Sequence, residues 1–256
     1  MGHAPRHPGD RHAERAGRRV AGDVPQQRGV SRGAAVRCRW LGRQPYEPVA
    51  ARQRAHREAL GRGEVDEEIW LLEHEPVVTT GRRPVDGLDV AALAGRGIPV
   101  VRTERGGLAT WHGPGQLVAY LLIDVGRRGI GVRDLVHRLE EAVIAWLATR
   151  GLTAARRPGL PGVWVGRDKI CAVGLHVARG RTMHGLALNI DVDLSVYRLF
   201  TPCGVHPDAG GVTSLVAAGG APCSPLEAAT GLAPGLVAAI DPTSSPTSLD
   251  APEGWN

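Results

Sequence analysis

The sequence predicts an α+β (mixed α/β) fold: one domain built around one sheet with helices against it. Three observations predict it. Residues 162–192, GVWVGRDKICAVGLHVARGRTMHGLALNIDV, read as three strands joined by a tight Gly-Arg-Asp turn and an Ala-Arg-Gly-Arg turn. Residues 131–151 carry apolar side chains at 132, 135, 136, 139, 143, 144 and 147, which is helical spacing. Of 256 residues, 43 % are hydrophobic but only 4 % aromatic, so a real core is available and Leu, Val, Ala and Ile must build it.

The remaining elements follow in order. Ala35–Leu41 is a first short strand, and YEPVAARQRAHREALGRG (46–63) a helix with Arg-rich outer faces and a glycine stop at Gly61 or Gly63. Ile69–Glu73 is a strand that turns at Pro76 into a second extended piece. Residues 87–104 give a short helix, a glycine turn and a strand at Pro99–Arg102. Gly106-Gly107 and Gly113-Pro114-Gly115 are turn chemistry, and Gln116–Val125 is an apolar strand. Asp193–Pro207 reads as loop, and 224–240 as one or two short helices.

The flanks differ from this pattern. Residues 1–33 are rich in Gly, Pro, His and Arg without an apolar period, and 242–256 are polar and rich in Pro and Ser. Both read as disordered, which leaves 34–241 as the folded domain. Arg18-Arg19 lacks the apolar stretch an export signal needs, and no apolar run approaches a membrane span. The net charge of +5 favours acidic partners. A nucleic-acid role for the basic leader lacks any aromatic platform or motif.

Lys169 is the one lysine in a chain whose Lys and Arg together number 31. A lysine amine can lose its proton when its surroundings press on it, which a guanidinium does not do. Lys169 begins a strand leaving a hairpin, flanked by Ile170, Ala172 and Val173, so partial desolvation is expected. None of the four cysteines, Cys38, Cys171, Cys203 and Cys223, forms a C-x-x-C pair or a metal-ligand cluster. Two are candidate nucleophiles. Cys171 is two residues along the strand from Lys169 and should share its face. Cys203 is presented on a loop between Pro202 and Gly204. Spacing does not choose between them. RGGLATWHGPGQ (105–116) offers close backbone approach and amides for an oxyanion, without a P-loop or dinucleotide pattern. His112 and His184 read as acid–base or substrate-contacting groups, or as satisfied core histidines.

Three blocks together resemble the lipoyl(octanoyl) transferases of the biotin/lipoate ligase-like fold: EHEPVVTTGRR (73–83), RGGLATWHGPGQLVAY (105–120), and GVWVGRDKICAVGLHVARGRTMHGLALNIDVDLSVYRLFTPCGV (162–205). The resemblance fades before about residue 34 and after about Leu215. It implies a mixed, largely antiparallel sheet. It implies a catalytic pair of Cys203 and Lys169, choosing Cys203 over Cys171. It also implies an acyl site formed by Arg105, Gly106, Gly107, Leu108, Ala109, Thr110, Trp111 and His112, by Ala172, Val173 and Gly174, and by Gly185, Leu186 and Ala187. Trp111 replaces the residue such sequences usually carry before HGPGQ, which predicts an altered acyl pocket. Leu108, Val173, Leu175 and Leu186 are expected to line an apolar slot.

The implied reaction moves octanoyl from octanoyl-acyl carrier protein, through a Cys203 thioester, to a lysine of apo-lipoyl domains. The acceptors would be 2-oxoacid dehydrogenase complexes and the glycine cleavage H protein. No cofactor or metal, no nucleic acid and no membrane are expected, and the enzyme would be a cytoplasmic monomer. The competing readings are an ATP-dependent lipoate or biotin ligase and a non-catalytic lipoyl-domain binder.

Overall fold

The structure is a computed structural model that describes Met1 and residues 36–83, 85, 87–200, 210–243 and 249–250. The expected leader and most of the tail lie outside the described residues. The chain begins with β1 (Arg37–Gln44), α1 (Tyr46–Arg62), β2 (Glu68–His74) and β3 (Val77–Thr80). It continues through α2 (Val90–Gly95), β4 (Val100–Arg102), β5 (Thr110–His112), β6 (Gln116–Leu122), α3 (Val125–Arg128) and α4 (Val132–Thr149). Then come β7 (Ala155–Arg157), β8 (Leu160–Val165), β9 (Asp168–Ala178), β10 (Arg181–Asn189), a 3-10 turn (Leu194–Leu199) and α5 (Pro225–Ile240).

A seven-stranded sheet runs β1-β2-β6-β10-β9-β8-β7. Among the described strands of this sheet, only β1 and β2 pair in parallel, because α1 carries the chain back over the sheet between them. The other neighbours are antiparallel, as the resemblance implied. Where the sequence suggested one sheet, the structure has a second, three-stranded one in the order β4-β3-β5. Strands this short leave too few alternations to be read from the sequence.

Every residue of β6 is buried, which marks it as the central strand. Leu117, Ala119 and Leu121 face α4 and α5 in the main core. Val118, Tyr120 and Leu122 face α1 with Leu41, Val49, Trp70 and Met183. The span expected to hold one or two short helices holds one, α5, of 16 residues. Ser224 and Glu227 form a reciprocal capping box at its start, and Pro234 is accommodated inside it. Gly63 at φ 74° closes α1, one of the two stops anticipated. The expected strand to Val125 ends at Leu122, because Asp124 caps the short helix α3 through Arg127 N–H. The expected loop after Asp193 begins as the 3-10 turn, with Asp193 accepting Ser195 N–H.

Candidate active site

A cavity of about 300 Å³ opens where the small sheet meets β6, β9 and β10. It gathers most of the expected acyl site. Lys169, Arg105, Gly106, Gly107, Thr110, His112, Ala172, Val173, Gly174, Gly185, Leu186 and Ala187 all line it, with Leu175. Leu108, Ala109 and Trp111 do not. The reason at Trp111 is strand alternation. On β5, Thr110 and His112 face the cavity, while Trp111 points the other way into a cluster with Val78, Leu93, Ile98 and Phe200. The departure at Trp111 therefore falls on the back of the small sheet.

Lys169 is 6 % exposed and Cys171 is fully buried in the main core. They do not share a face, contrary to the simple alternation expected. Trp164 opposes Lys169 while Val163 opposes Cys171, so β9 has one extra residue, Ile170, at this point. Such a bulge re-aims the strand. Ile170 and Cys171 both enter the core, and Lys169 turns to the cavity. Gly162 makes room opposite: at its φ of 118° a Cβ would lie 2.4 Å from Cys171 O. Burial pushes the Cys171 thiol well up despite the opposing pull of Lys169, so it is a poor nucleophile. Burial also raises the thiols of Cys38, to about 12, and of Cys223. Cys203 lies outside the described residues. The backbone that resumes at Gly210 pairs with β9 at once: Lys169 N–H donates to Gly211 O at 3.0 Å, and Thr213 N–H to Lys169 O at 3.0 Å.

The far wall is polar and was only partly legible. His112 donates from Nδ1 to Gln116 Oε1 at 2.7 Å, because Gln116 uses its amide NH₂ on Trp111 O and Asn189 Oδ1. His112 Nε2 then accepts from the Thr79 hydroxyl at 3.3 Å, and Thr79 in turn accepts from Arg105 at 2.9 Å. Burial first, and His74 next, hold His112 well below the ordinary imidazole range. It is a neutral, hydrogen-bonded wall residue rather than a poised base. His74 donates to Gln44 O at 2.9 Å and accepts from Tyr120 Oη at 2.7 Å, and burial lowers it to about 4. Gln116, Asn189 and Thr213 connect this wall to the Lys169 strand, since Asn189 Nδ2 donates to Thr213 O at 2.9 Å.

His184 also lines the cavity. It sits at φ 61°, a left-handed conformation that costs a non-glycine residue about 1–2 kcal/mol. The Gln53 side chain from α1 accepts its N–H at 2.9 Å and fixes it there. Burial lowers its imidazole to about 3, and Nε2 is buried without a partner among the described residues. Its neighbour Gly185 must lack a side chain, because a Cβ would lie 2.1 Å from Ala119 O. Gly106 N–H is committed to Leu175 O at 3.3 Å, so it is not an oxyanion donor. Sequence reasoning missed Tyr46, Tyr120, Arg83, Val132, Val136 and Pro161 as lining residues. They come from four elements and one loop, with no local motif.

Residues 44–233 match the lipoyl protein ligase A/B catalytic domain. The chain belongs to that family. An octanoyltransferase of Aromatoleum aromaticum is 48 % identical over 189 residues, covering 74 % of this chain and 80 % of the relative. An octanoyltransferase of Pseudomonas entomophila is 51 % identical over 164 residues, 64 % of this chain and 74 % of that one. The activity is octanoyl transfer in protein lipoylation. Among solved structures, a lipoate-protein ligase A bound with ATP matches with a TM-score of 0.64 at 18 % identity, covering 87 % and 91 % of the two chains. A bi-partite lipoate protein ligase from Thermoplasma acidophilum matches with a TM-score of 0.63 at 20 % identity, over 86 % and 89 %. At such identities the likeness is one of fold. Among the described residues, no helix is long and apolar enough to cross a membrane.

Proposed function

We propose that this family member transfers octanoyl in two steps, with Cys203 as nucleophile and Lys169 as its partner. The observation that carries the reading is the pairing of a buried lysine with the acyl cavity. Lys169 is turned into the same 300 Å³ space as residues 105–107, 172–174 and 185–187, while the other nearby thiol, Cys171, is sealed in the core. The direct bonding of Gly211 and Thr213 to Lys169 brings the chain that follows Cys203 beside the lysine, which supports the pair.

In the first step the Cys203 thiolate attacks the thioester carbonyl of octanoyl-acyl carrier protein. A carbon–sulfur bond forms, the carbon–sulfur bond to the carrier breaks, the carrier thiolate leaves with the proton of the Lys169 ammonium, and an octanoyl-enzyme with a neutral Lys169 remains. In the second step a neutral lysine amine of an apo-lipoyl domain attacks that thioester. The amide forms, Cys203 leaves as thiolate, and the amine proton passes to Lys169. An arginine would stabilise the thiolate but would not accept that proton. The octanoyl chain spans about 9 Å when extended. Its methylenes gain roughly 0.8 kcal/mol each on burial against Val173, Leu175, Leu186 and Ala187.

The acceptors on this reading are the lipoyl domains of 2-oxoacid dehydrogenase complexes and the glycine cleavage H protein. The enzyme acts as a cytoplasmic monomer without metal or cofactor, because the thioester supplies the activation. The test is intact mass after mixing with octanoyl-acyl carrier protein. The expected result is one hydroxylamine-labile octanoyl group, absent in Cys203→Ser and slower to form in Lys169→Arg. No adduct, with octanoylation appearing only from free octanoate and ATP, would favour the ligase reading.

A further inference from the structure

We propose that Trp164 is the positioning residue for Lys169: its ring face holds the ammonium at the cavity, where the thiolate needs it. The inference rests on the Cys203–Lys169 reading and deepens it. Lys169 Nζ lies 4.8 Å from the Trp164 ring centroid, inside the range of a cation–π contact. The two residues face each other directly across β8 and β9, at the bulge that re-aims the lysine. Trp164 is 1 % exposed, so the contact is desolvated on the ring side. The ring is itself fixed, because Nε1–H donates to Leu160 O at 3.2 Å.

A buried ammonium needs a favourable partner, since burial disfavours a charged amine. The negative face of an indole supplies that partner without introducing a carboxylate. A carboxylate here would hold the lysine in an ion pair and compete with the thiolate for it. The charged groups around the lysine fit this division. Glu140 on α4 points Oε1 at Gly162 N–H, 2.7 Å away. Asp168 at the start of β9 accepts Gly211 N–H at 2.7 Å. Cys171 is a buried thiol. Arg157 on β7 lies 4.7 Å from the centroid of the same indole, and it donates to Arg167 O at 3.3 Å at the hairpin turn. Arg105 and Arg83 line the cavity with Lys169. The ring is the group placed face-on against the ammonium.

The experiment follows the pH dependence of Cys203 acylation in single turnovers with an octanoyl thioester, and of Cys203 alkylation, in the full chain. Wild type, Trp164→Phe, Trp164→Leu and Lys169→Met are compared. Trp164→Leu should move the acid limb to higher pH and slow acylation at pH 7 by about tenfold. Trp164→Phe, which keeps an aromatic face, should restore most of the loss. Should Trp164→Leu not fold, fluorinated tryptophan, which keeps the shape and weakens the negative face, should move the limb the same way. Lys169→Met shifting the limb while neither Trp164→Leu nor fluorotryptophan does so would overturn the proposal alone. A Lys169→Met profile identical to wild type would overturn the catalytic pair itself, and this proposal with it. Equal losses in Trp164→Leu and Trp164→Phe at an unchanged profile would reduce Trp164 to packing.

Discussion

The two ends of the cavity hold their polar groups in opposite ways. At the far end, His74, His112 and Tyr120 are buried and neutral, and each is hydrogen-bonded to another side chain or to backbone. At the other end, Lys169 is a buried cation set against an aromatic face, on a strand made irregular by a bulge. The far wall has its stability written into its hydrogen bonds. The lysine end carries the charge that chemistry needs. Conserving a shape and presenting a reactive group thus call for different local devices within one sheet.

The sharpest break in this contrast is at the cysteines. Cys203→Ala should lower octanoyl transfer by about a thousandfold or more, since a covalent nucleophile has no substitute. Cys171→Ala should leave transfer within about threefold and cost roughly 1 kcal/mol of stability, as a small core truncation does. A rate assay and a urea melt of each variant separate the two roles. Loss of transfer in Cys171→Ala with an intact fold would remove the distinction.

Next in size is Gly185, between the two ends. Gly185→Ala brings a methyl against Ala119 O on the central strand and should destabilise by about 1–3 kcal/mol. A melting temperature equal to wild type would show that β6 and β10 are not packed this closely.

The far wall makes a pH prediction. His74 and His184 titrate in the folded state at about 4 and about 3, and His112 is also held low. In the unfolded chain an imidazole titrates near about 6.5. Between these values the unfolded state binds more protons, so stability is present above about pH 6.5 and is lost on acidification. Each such histidine should cost about 2 kcal/mol on going from pH 7 to pH 5. Denaturant midpoints at the two pH values measure it, and a midpoint that rises at pH 5 would contradict the neutral wall.

The smallest effect concerns acyl length. Leu186→Phe, on the cavity, should shift preference toward chains shorter than eight carbons by a few-fold, about the worth of one or two methylenes. Trp111→Phe, behind the small sheet, should leave the ratio of eight- to six-carbon transfer as it is. A shift in that ratio for Trp111→Phe would move the boundary of the acyl site.

Much of the fold was legible because its long elements are strongly patterned. The helix at 132–149, the hairpins of β8, β9 and β10, and the glycine stop of α1 all follow from periodicity and turn chemistry. The cavity residues at 105–107, 172–174 and 185–187 came from the family resemblance, not from spacing. What escaped is non-local or irregular. The small sheet joins β3, β4 and β5, strands of four, three and three residues. The bulge at Ile170 reverses the facing that alternation assigns to Lys169 and Cys171, and only the pairing with β8 reveals it. Trp111 faces away from the cavity for a related reason: a motif gives neighbours in sequence, while a strand sends alternate neighbours to opposite faces.

The measurement that tests the central claim most directly is a chase of isolated acyl-enzyme. Protein loaded with octanoyl is freed of donor, then mixed with an apo-lipoyl domain without ATP. The account predicts that the octanoyl group leaves the enzyme and appears as an amide on the acceptor lysine, one for one, and that Cys203→Ser carries nothing to transfer. An octanoyl group that stays on the enzyme, while the acceptor is modified only when ATP and free octanoate are added, would contradict it.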